Sequence, residues 1–263
     1  MTDLVDLKGK VALITGAGQG VGRQAALHFA VHNAGGVVVN DFHADRAEAV
    51  AEEVRELGGK ALAIQGDVTK LEAMQETVAR AEAELGPVDI LVNNAGNAGA
   101  EPTENARKPF WETGPQDWDS FIGVNFYGVI NATSAVVPGM IERRNGRIVT
   151  VISEASRFGD PGLEIYAGAK AGAAGFMRSC ARGLGRYNIA ANCVSIAATF
   201  TPPIKARLEK DPERLKKIMR SYVIRRPGEP DDVANMILFL ASDASSWVTG
   251  QTYPVNGGFT FNL

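Results

Sequence analysis

Tyr166 and Lys170 stand four residues apart in an Ala- and Gly-rich stretch that reads as a helix from 166 to about 185. At that spacing two side chains share a helix face. A phenol ordinarily holds its proton to a pH of about 10, and a neighbouring ammonium group stabilises the phenolate. Such a tyrosine can take a proton from an alcohol or give one to a ketone near neutral pH. Alone the pair is a weak signal, because tyrosine and lysine at this spacing are ordinarily a surface pair. Two more polar residues strengthen it. Ser153 lies 13 residues upstream, just past the apolar run 148–152, where its hydroxyl can hold a substrate oxygen and stabilise charge developing on it. Asn125 lies in the preceding helical segment, a poor place for an amide that competes for backbone groups.

A second cluster sits near the start of the chain. Thr15-Gly-Ala-Gly-Gln-Gly-Val-Gly22 follows the apolar run 11–14 and opens a helical pattern with Val21, Ala25 and Phe29 at i, i+4 and i+8. Glycines let a tight turn approach a pyrophosphate, and the helix N-terminus offers free N–H groups to the anion. In a chain with 29 glycines the string means little without its place between strand and helix. Asp41 ends the next apolar run, 19 residues after Gly22. A carboxylate there accepts hydrogen bonds from ribose hydroxyls and repels a 2′-phosphate, which favours NAD over NADP. Gln19, neutral, agrees with NAD; Arg46 points the other way. As a lone residue, Asp41 reads equally well as a cap for the next helix.

These residues need a scaffold, and the pattern supplies one. Apolar runs at 11–14, 37–39, 61–64, 90–92, 148–152, 189–195 and 252–255 alternate with helical patterns, such as Leu71, Met74 and Val78 or Val233, Ile237 and Leu240. Strands apolar on both faces, alternating with helices, imply an α/β fold: a doubly wound parallel sheet of about seven strands in a three-layer αβα arrangement. No linker or composition shift divides the chain, so residues 1–263 read as one domain. Segments 97–114 and 197–228 break the rhythm and are placed where such folds keep substrate loops. Phe110, Trp111, Phe158 and Phe200 lie on or near them, as pocket walls or as packing residues. The glycines at 168, 172 and 175 are expected to admit a close neighbour to the Tyr166 helix.

The composition bounds the rest. The 263 residues are 45% hydrophobic and 22% charged, a globular balance that excludes disorder. A formal charge of -3 gives no global basic signal for nucleic acid. Cys180 and Cys193 form no paired motif and read as free thiols of a reducing compartment. An acidic N-terminus without an apolar core, and no apolar run near the ~20 residues of a bilayer span, point to a cytoplasmic protein. His28 and His32 stand at i, i+4 without an obvious third ligand, so no metal site is expected.

With the turn, Asp67-Val68, Asn93-Asn-Ala-Gly96, Asn125, Ser153, Tyr166-Ala-Gly-Ala-Lys170, Pro230-Asp-Asp-Val233 and Val255-Asn-Gly-Gly258, the chain resembles the short-chain dehydrogenase/reductase family over almost its full length. It is most similar to the bacterial β-ketoacyl reductase, hydroxyacyl-CoA and hydroxysteroid dehydrogenase subgroups. The resemblance implies hydride exchange between NAD(H) and a secondary alcohol or ketone, on the B face of nicotinamide. It makes Tyr166 the acid–base residue and Lys170 its partner and a holder of the nicotinamide ribose. Ser153 would hold the substrate oxygen, and Asn125 would anchor a water-linked proton relay. Gly16, Gln19, Gly20, Val21, Gly22, Asp41 and Gly96 would line the dinucleotide site. Asp67 and Val68 would meet adenine and Asn94 the ribose, with Thr199 and Thr201 near the carboxamide. Where the family usually has Pro-Gly after the sixth strand, this chain has Ile196-Ala197, and alanine accepts positive φ less readily than glycine. The stretch 205–226 carries nine Lys/Arg and three Asp/Glu, suited to the phosphates of coenzyme A or an acyl carrier protein or, equally, to a solvated helix with pairs such as Glu213 with Lys217. The leading expectation for substrate is a hydroxyacyl thioester, followed by an alicyclic or steroid alcohol. A catalytically silent dinucleotide-sensing protein is the alternative outside enzymes. A homotetramer is expected, with no nucleic acid and no membrane among the partners.

Overall fold

The computed structural model describes residues 3–98, 104–105, 108–200 and 212–261. Its seven strands are β1 (Val11–Thr15), β2 (Gly36–Asp41), β3 (Ala61–Gln65), β4 (Val88–Asn93), β5 (Gly146–Ser153), β6 (Ile189–Ile196) and β7 (Thr252–Val255). They form one parallel sheet in the order β3-β2-β1-β4-β5-β6-β7. Strand order reverses between β1 and β4, and the crevice at such a switch point is where ligands enter open α/β sheets.

Alternate residues of each strand feed opposite layers. Ala12 and Ile14 of β1 join the core beneath α1 (Gly20–Val31), α2 (Ala44–Glu56) and Pro230–Ala241, the helix labelled α9 below. Leu13 joins the core beneath α3 (Leu71–Glu84), α5 (Gly128–Arg143) and α7 (Glu164–Leu184). The apolar stripes at 21/25/29, 71/74/78 and 233/237/240 are the faces these helices turn to the sheet, with Leu71 at the outer edge. Between α3 and α7 lie α4 (Pro115–Ile122) and a wider-wound π segment, Gly123–Tyr127, which runs straight into α5. Past β5 comes the single turn α6 (Ala155–Phe158), and before α9 the short helix α8 (Pro212–Met219).

The helical stretch 115–143 is long and apolar enough, by length and composition alone, to cross a membrane, because three elements fuse into one rod. In this fold α5 lies against α3 and β4 and buries Val129, Ala132, Val136 and Met140 there. One expectation is corrected: of the glycines at 168, 172 and 175 in α7, only Gly172 is closely approached, with a Cβ there 3.3 Å from the Phe126 ring. At Gly168 the space is open, and at Gly175 only the Arg178 guanidinium comes within reach.

Candidate active site

The Gly-rich turn is held from behind by the end of β4. Asn94 Nδ2 donates to the carbonyls of Thr15 (3.0 Å) and Gly16 (2.9 Å), while Thr15 Oγ1 accepts the N–H of Asn94 (3.1 Å) and Ala95 (3.2 Å). The Asn94 amide nitrogen is therefore spent on the turn, while the residue still lines the cavity described below. Gly16 has φ +60° and a Cβ there would stand 2.7 Å from Ala95 Cα; at Gly22 it would overlap Asn94 Nδ2. Only glycine lets the two loops touch. Helix α1 starts without a side-chain cap or an acidic residue in its first turn, so its N–H groups are open to an anion.

Asp41 stands at the end of β2, nearly buried, with both oxygens placed by backbone: Gly18 N–H donates to Oδ2 (2.9 Å) and His43 N–H to Oδ1 (3.0 Å). A Cβ on Gly18 would come 2.7 Å from that Oδ2 and 2.6 Å from Arg46 Cβ. Gly18 thus has a part in positioning Asp41 that goes beyond the pyrophosphate turn; its signal in the sequence is a glycine between Ala17 and Gln19. Asp67 Oδ1 accepts from Thr69 N–H (2.9 Å), and Asn131 Nδ2 donates to the Val68 carbonyl (3.0 Å).

These residues, Thr15, Gly18, Gly22 and Asn131 excepted, line a long cavity of about 740 Å³ along the carboxyl edge of the sheet. Gly16, Gln19, Gly20, Val21 and Asp41 line one end, with Asp67, Val68, Asn94 and Gly96 along it and Ser153, Tyr166, Lys170 and Thr199 at the other. Gly22 packs behind the turn. Phe42, Thr69, Ser120 and Val124 also line it and carried no sequence signal. Thr201, the stretch 205–211 and the side chain of Lys217 lie outside the described residues. Ala197 lines the cavity without positive φ, so replacing the family's glycine imposes no strain there.

At the far end, the Tyr166 hydroxyl is hydrogen-bonded to Ser153, whose Oγ also accepts from Ala155 N–H (3.2 Å). Burial pushes the Tyr166 phenol above its usual range, and the Ser153 hydrogen bond opposes that. The Lys170 ammonium donates to the Val151 carbonyl (2.8 Å) and stands 6.0 Å from the centre of the Tyr166 ring. The lysine is 3% exposed, and burial brings its pKa down to about 8. In this geometry the ammonium lies near the tyrosine ring and donates to a strand carbonyl rather than to the phenol oxygen.

Asn125 sits in the π segment, a distortion often found at functional sites. Its Nδ2 donates to the carbonyls of Asn97 (2.7 Å) and Phe121 (2.8 Å), which leaves Oδ1 buried without a protein partner. A Cβ on Gly96 would stand 3.0 Å from that Oδ1 and 3.2 Å from Lys170 Nζ, so the three groups meet at one point.

Beyond Tyr166 two further spaces open. One, of about 400 Å³, adjoins Ser153 and is walled by Phe121, Leu163, Tyr222 and Phe259. The other, of about 700 Å³, is lined in part by Glu104, Asn105, Lys108 and Phe110, while Trp111 is 70% exposed and lines neither. Phe158 lies edge-on to Phe259, and Phe200 is buried. His28 hydrogen-bonds Asp231 (2.9 Å) and His32 hydrogen-bonds Asp3 (2.8 Å).

The family model described as enoyl-(acyl carrier protein) reductase matches residues 16–260. The chain is 37% identical over 257 residues to 7alpha-hydroxysteroid dehydrogenase of Escherichia coli, covering 98% of this chain and 96% of that protein. It is 38% identical over 253 residues to a 3-oxoacyl-(acyl-carrier-protein) reductase of Thermotoga maritima, covering 96% and 98%. A solved 7 alpha-hydroxysteroid dehydrogenase, complexed with NADH and 7-oxo glycochenodeoxycholic acid, superposes with a TM-score of 0.87 at 36% identity, covering 98% of each chain.

Proposed function

The chain belongs to the short-chain dehydrogenase/reductase family and is an oxidoreductase acting on alcohols and ketones; we propose that it exchanges a hydride between NAD(H) and a secondary alcohol, with Asn125, Ser153, Tyr166 and Lys170 as the working set. The observation that carries this reading is the Ser153–Tyr166 hydrogen bond at one end of a cavity whose other end is the Gly-rich turn and Asp41.

The residues present fit a dinucleotide. Gly16 and Gly22 lie where any Cβ would collide, the α1 N-terminus is open, and the cavity runs unbroken from there to Tyr166. Gly16, Gln19, Gly20, Val21 and Gly22 would shape the pyrophosphate end, Asp41 would take the adenosine ribose hydroxyls, Asp67 and Val68 would flank adenine, and Gly96 and Thr199 would border the nicotinamide half. The bound cofactor supplies or accepts the hydride. Asp41, fixed by two backbone N–H groups, supports NAD over NADP, because its charge faces the place where a 2′-phosphate would be.

The chain's own part is proton handling and orientation. Ser153 donates to the substrate oxygen and stabilises charge there. Tyr166 takes the proton of the alcohol in oxidation and returns it in reduction. Lys170, buried and anchored to Val151, holds a cation beneath the tyrosine and toward the nicotinamide ribose. Asn125 Oδ1 is the free acceptor through which a proton path leaves Lys170.

An alicyclic or steroid alcohol is the substrate class the space beyond Tyr166 favours, its walls being largely aromatic and aliphatic. A hydroxyacyl thioester is the second reading; it draws support from the similarity to the Thermotoga reductase. A homotetramer belongs to the same proposal, with the open side of α7 at Gly168 and Gly175 available to a neighbouring subunit.

The test is Tyr166→Phe, assayed by NADH absorbance with a panel of cyclic ketones, oxosteroids and oxoacyl thioesters. Turnover falls by at least about a hundredfold, while NADH affinity, followed by fluorescence, stays close to the parent. Equal turnover in the variant refutes the role given to the phenol and favours a silent dinucleotide-sensing protein.

A further inference from the structure

Glu154 follows Ser153 directly, is 1% exposed, and has no part in the chemistry above. Its Oε1 accepts from Arg157 Nη1 (2.9 Å) and its Oε2 accepts from the Thr260 hydroxyl, 106 residues away in sequence. Its backbone N–H reaches the Ile196 carbonyl (2.9 Å) and so ties the end of β5 to the end of β6. Thr260 is fixed in turn by Asn256 Nδ2, which donates to its carbonyl (3.0 Å) and its hydroxyl (3.1 Å). The segment 257–260 is thereby latched across the space beyond Tyr166. Phe259 stacks on Tyr222 with ring centres 5.3 Å apart, and the Tyr222 hydroxyl accepts from Ala198 N–H (3.1 Å). Ile224 N–H donates to the Gly257 carbonyl (2.9 Å) and closes the same wall from outside.

The described ionisable side chains that line this space are all acids or phenols. Among its described lining residues the only ionisable acids or bases besides the two tyrosines are Glu154 and Asp160; Arg157, the partner of Glu154, is not part of the lining. Burial pushes the Tyr222 phenol up, the hydrogen bond from Ala198 N–H opposes that, and the nearby Asp160 and Glu154 carboxylates add to the rise. A carboxylate entering a space of about 400 Å³ among Phe121, Leu163, Tyr222 and Phe259 gives up its hydration and meets the Asp160 carboxylate and that of Glu154, the latter paired with Arg157. An uncharged ring entering the same space gains from burial.

We propose that Glu154 and Asp160 determine which alcohols are admitted: the groups flanking the reacting carbon are uncharged and apolar, a carboxylate there is rejected, and the segment 257–260, held by the Glu154–Thr260 latch, is the wall against which the apolar part packs. This rests on the dehydrogenase reading of the site. It separates an alicyclic ketone, or a thioester whose phosphates lie far from the carbonyl, from a free oxo acid.

The experiment is calorimetric titration of the NADH-loaded protein with cyclohexanone and with 3-oxocyclohexanecarboxylate, repeated in Glu154→Gln, Asp160→Asn and Thr260→Val. The parent binds the neutral ketone at least about tenfold more tightly than the carboxylate. Glu154→Gln and Asp160→Asn each narrow that ratio, whereas Thr260→Val, which opens the latch and keeps the charges, weakens both ligands and leaves the ratio in place. Equal binding of the two ketones by the parent, binding of neither, or a ratio unmoved in both charge variants with native circular dichroism overturns the proposal. Intact discrimination without hydride transfer to the neutral ketone counts instead against the dehydrogenase reading, so the two failures are distinct.

Discussion

At the Gly-rich end the cavity is walled by main chain: Gly16 and Gly22 against the β4 loop, Gly18 and His43 N–H groups on Asp41, the open start of α1. Beyond Tyr166 it is walled by side chains from segments far apart in sequence, Phe121, Leu163, Tyr222 and Phe259, locked by Glu154 on Thr260. A main-chain wall is the same whatever residues surround it, provided glycine stands where contact is closest, and it suits a ligand shared by many relatives. A side-chain wall changes with single substitutions and suits a ligand particular to one protein. The two ends are therefore expected to break in different ways.

The sharpest break comes from Gly16→Ala. The new methyl meets Ala95 Cα at 2.7 Å in a residue already at φ +60°, so neither loop can give without moving backbone. A strain of about 1–3 kcal/mol is expected, divided between the fold and the dinucleotide site. Urea midpoints and NADH titration should both worsen, with NADH affinity down by about tenfold or more. Parental values in both would mean that the turn is looser than these contacts imply.

This contrast also explains what could be read from the sequence. The turn 15–22, Asp41, the seven strands and the Ser153, Tyr166 and Lys170 set follow local grammar: a strand, a glycine turn, a helix, and residues one helical turn apart. Asn125 was marked by its awkward place in a helix, but the π segment that frees its Oδ1 was not visible, since it depends on bonds to Asn97 and Phe121. The second partner of Lys170 is hidden for a similar reason: spacing brings it to the Tyr166 ring, and the strand beneath adds the Val151 carbonyl at 2.8 Å. The latch from Glu154 to Thr260 and the stack of Tyr222 on Phe259 are contacts between distant segments, and nothing in local periodicity encodes them.

Asp41→Ala bears on the same contrast with a smaller effect. The carboxylate is held entirely by backbone, so its removal should alter cofactor choice without touching the aromatic enclosure. Loss of hydrogen bonds from ribose to a charged acceptor, each about 1.5–3 kcal/mol, lowers kcat/KM for NADH by about tenfold or more and narrows the gap to NADPH. A change in the ranking of ketones, with cofactor preference intact, would show that the two ends are not independent.

The smallest effect belongs to a residue at neither end. Asp243 lies at the opposite edge of the sheet, where it pairs with Lys10 (2.5 Å) and Lys8 (2.9 Å) and stands 3.7 Å from the nearly buried Arg147 of β5. Hydrogen bonds from Lys10 and Lys8 hold its pKa down to about 2. A depressed carboxyl stabilises the fold at pH values above its unfolded value of about 3.9; that contribution declines as pH falls below it and is gone near pH 2. Because the side chain is 40% exposed, solvent screening reduces the contribution to about 1 kcal/mol. Asp243→Asn should thus lower Tm by about 2–4 °C at pH 7, and the gap to the parent should shrink between pH 4 and pH 3. NADH affinity and the ranking of ketones should stay at parental values, since a loss of stability at the amino edge reaches neither wall. A gap that keeps its size down to pH 3 would assign the loss to packing rather than charge, and a shift in either binding property would tie the carboxyl edge to this distant ion cluster through the sheet.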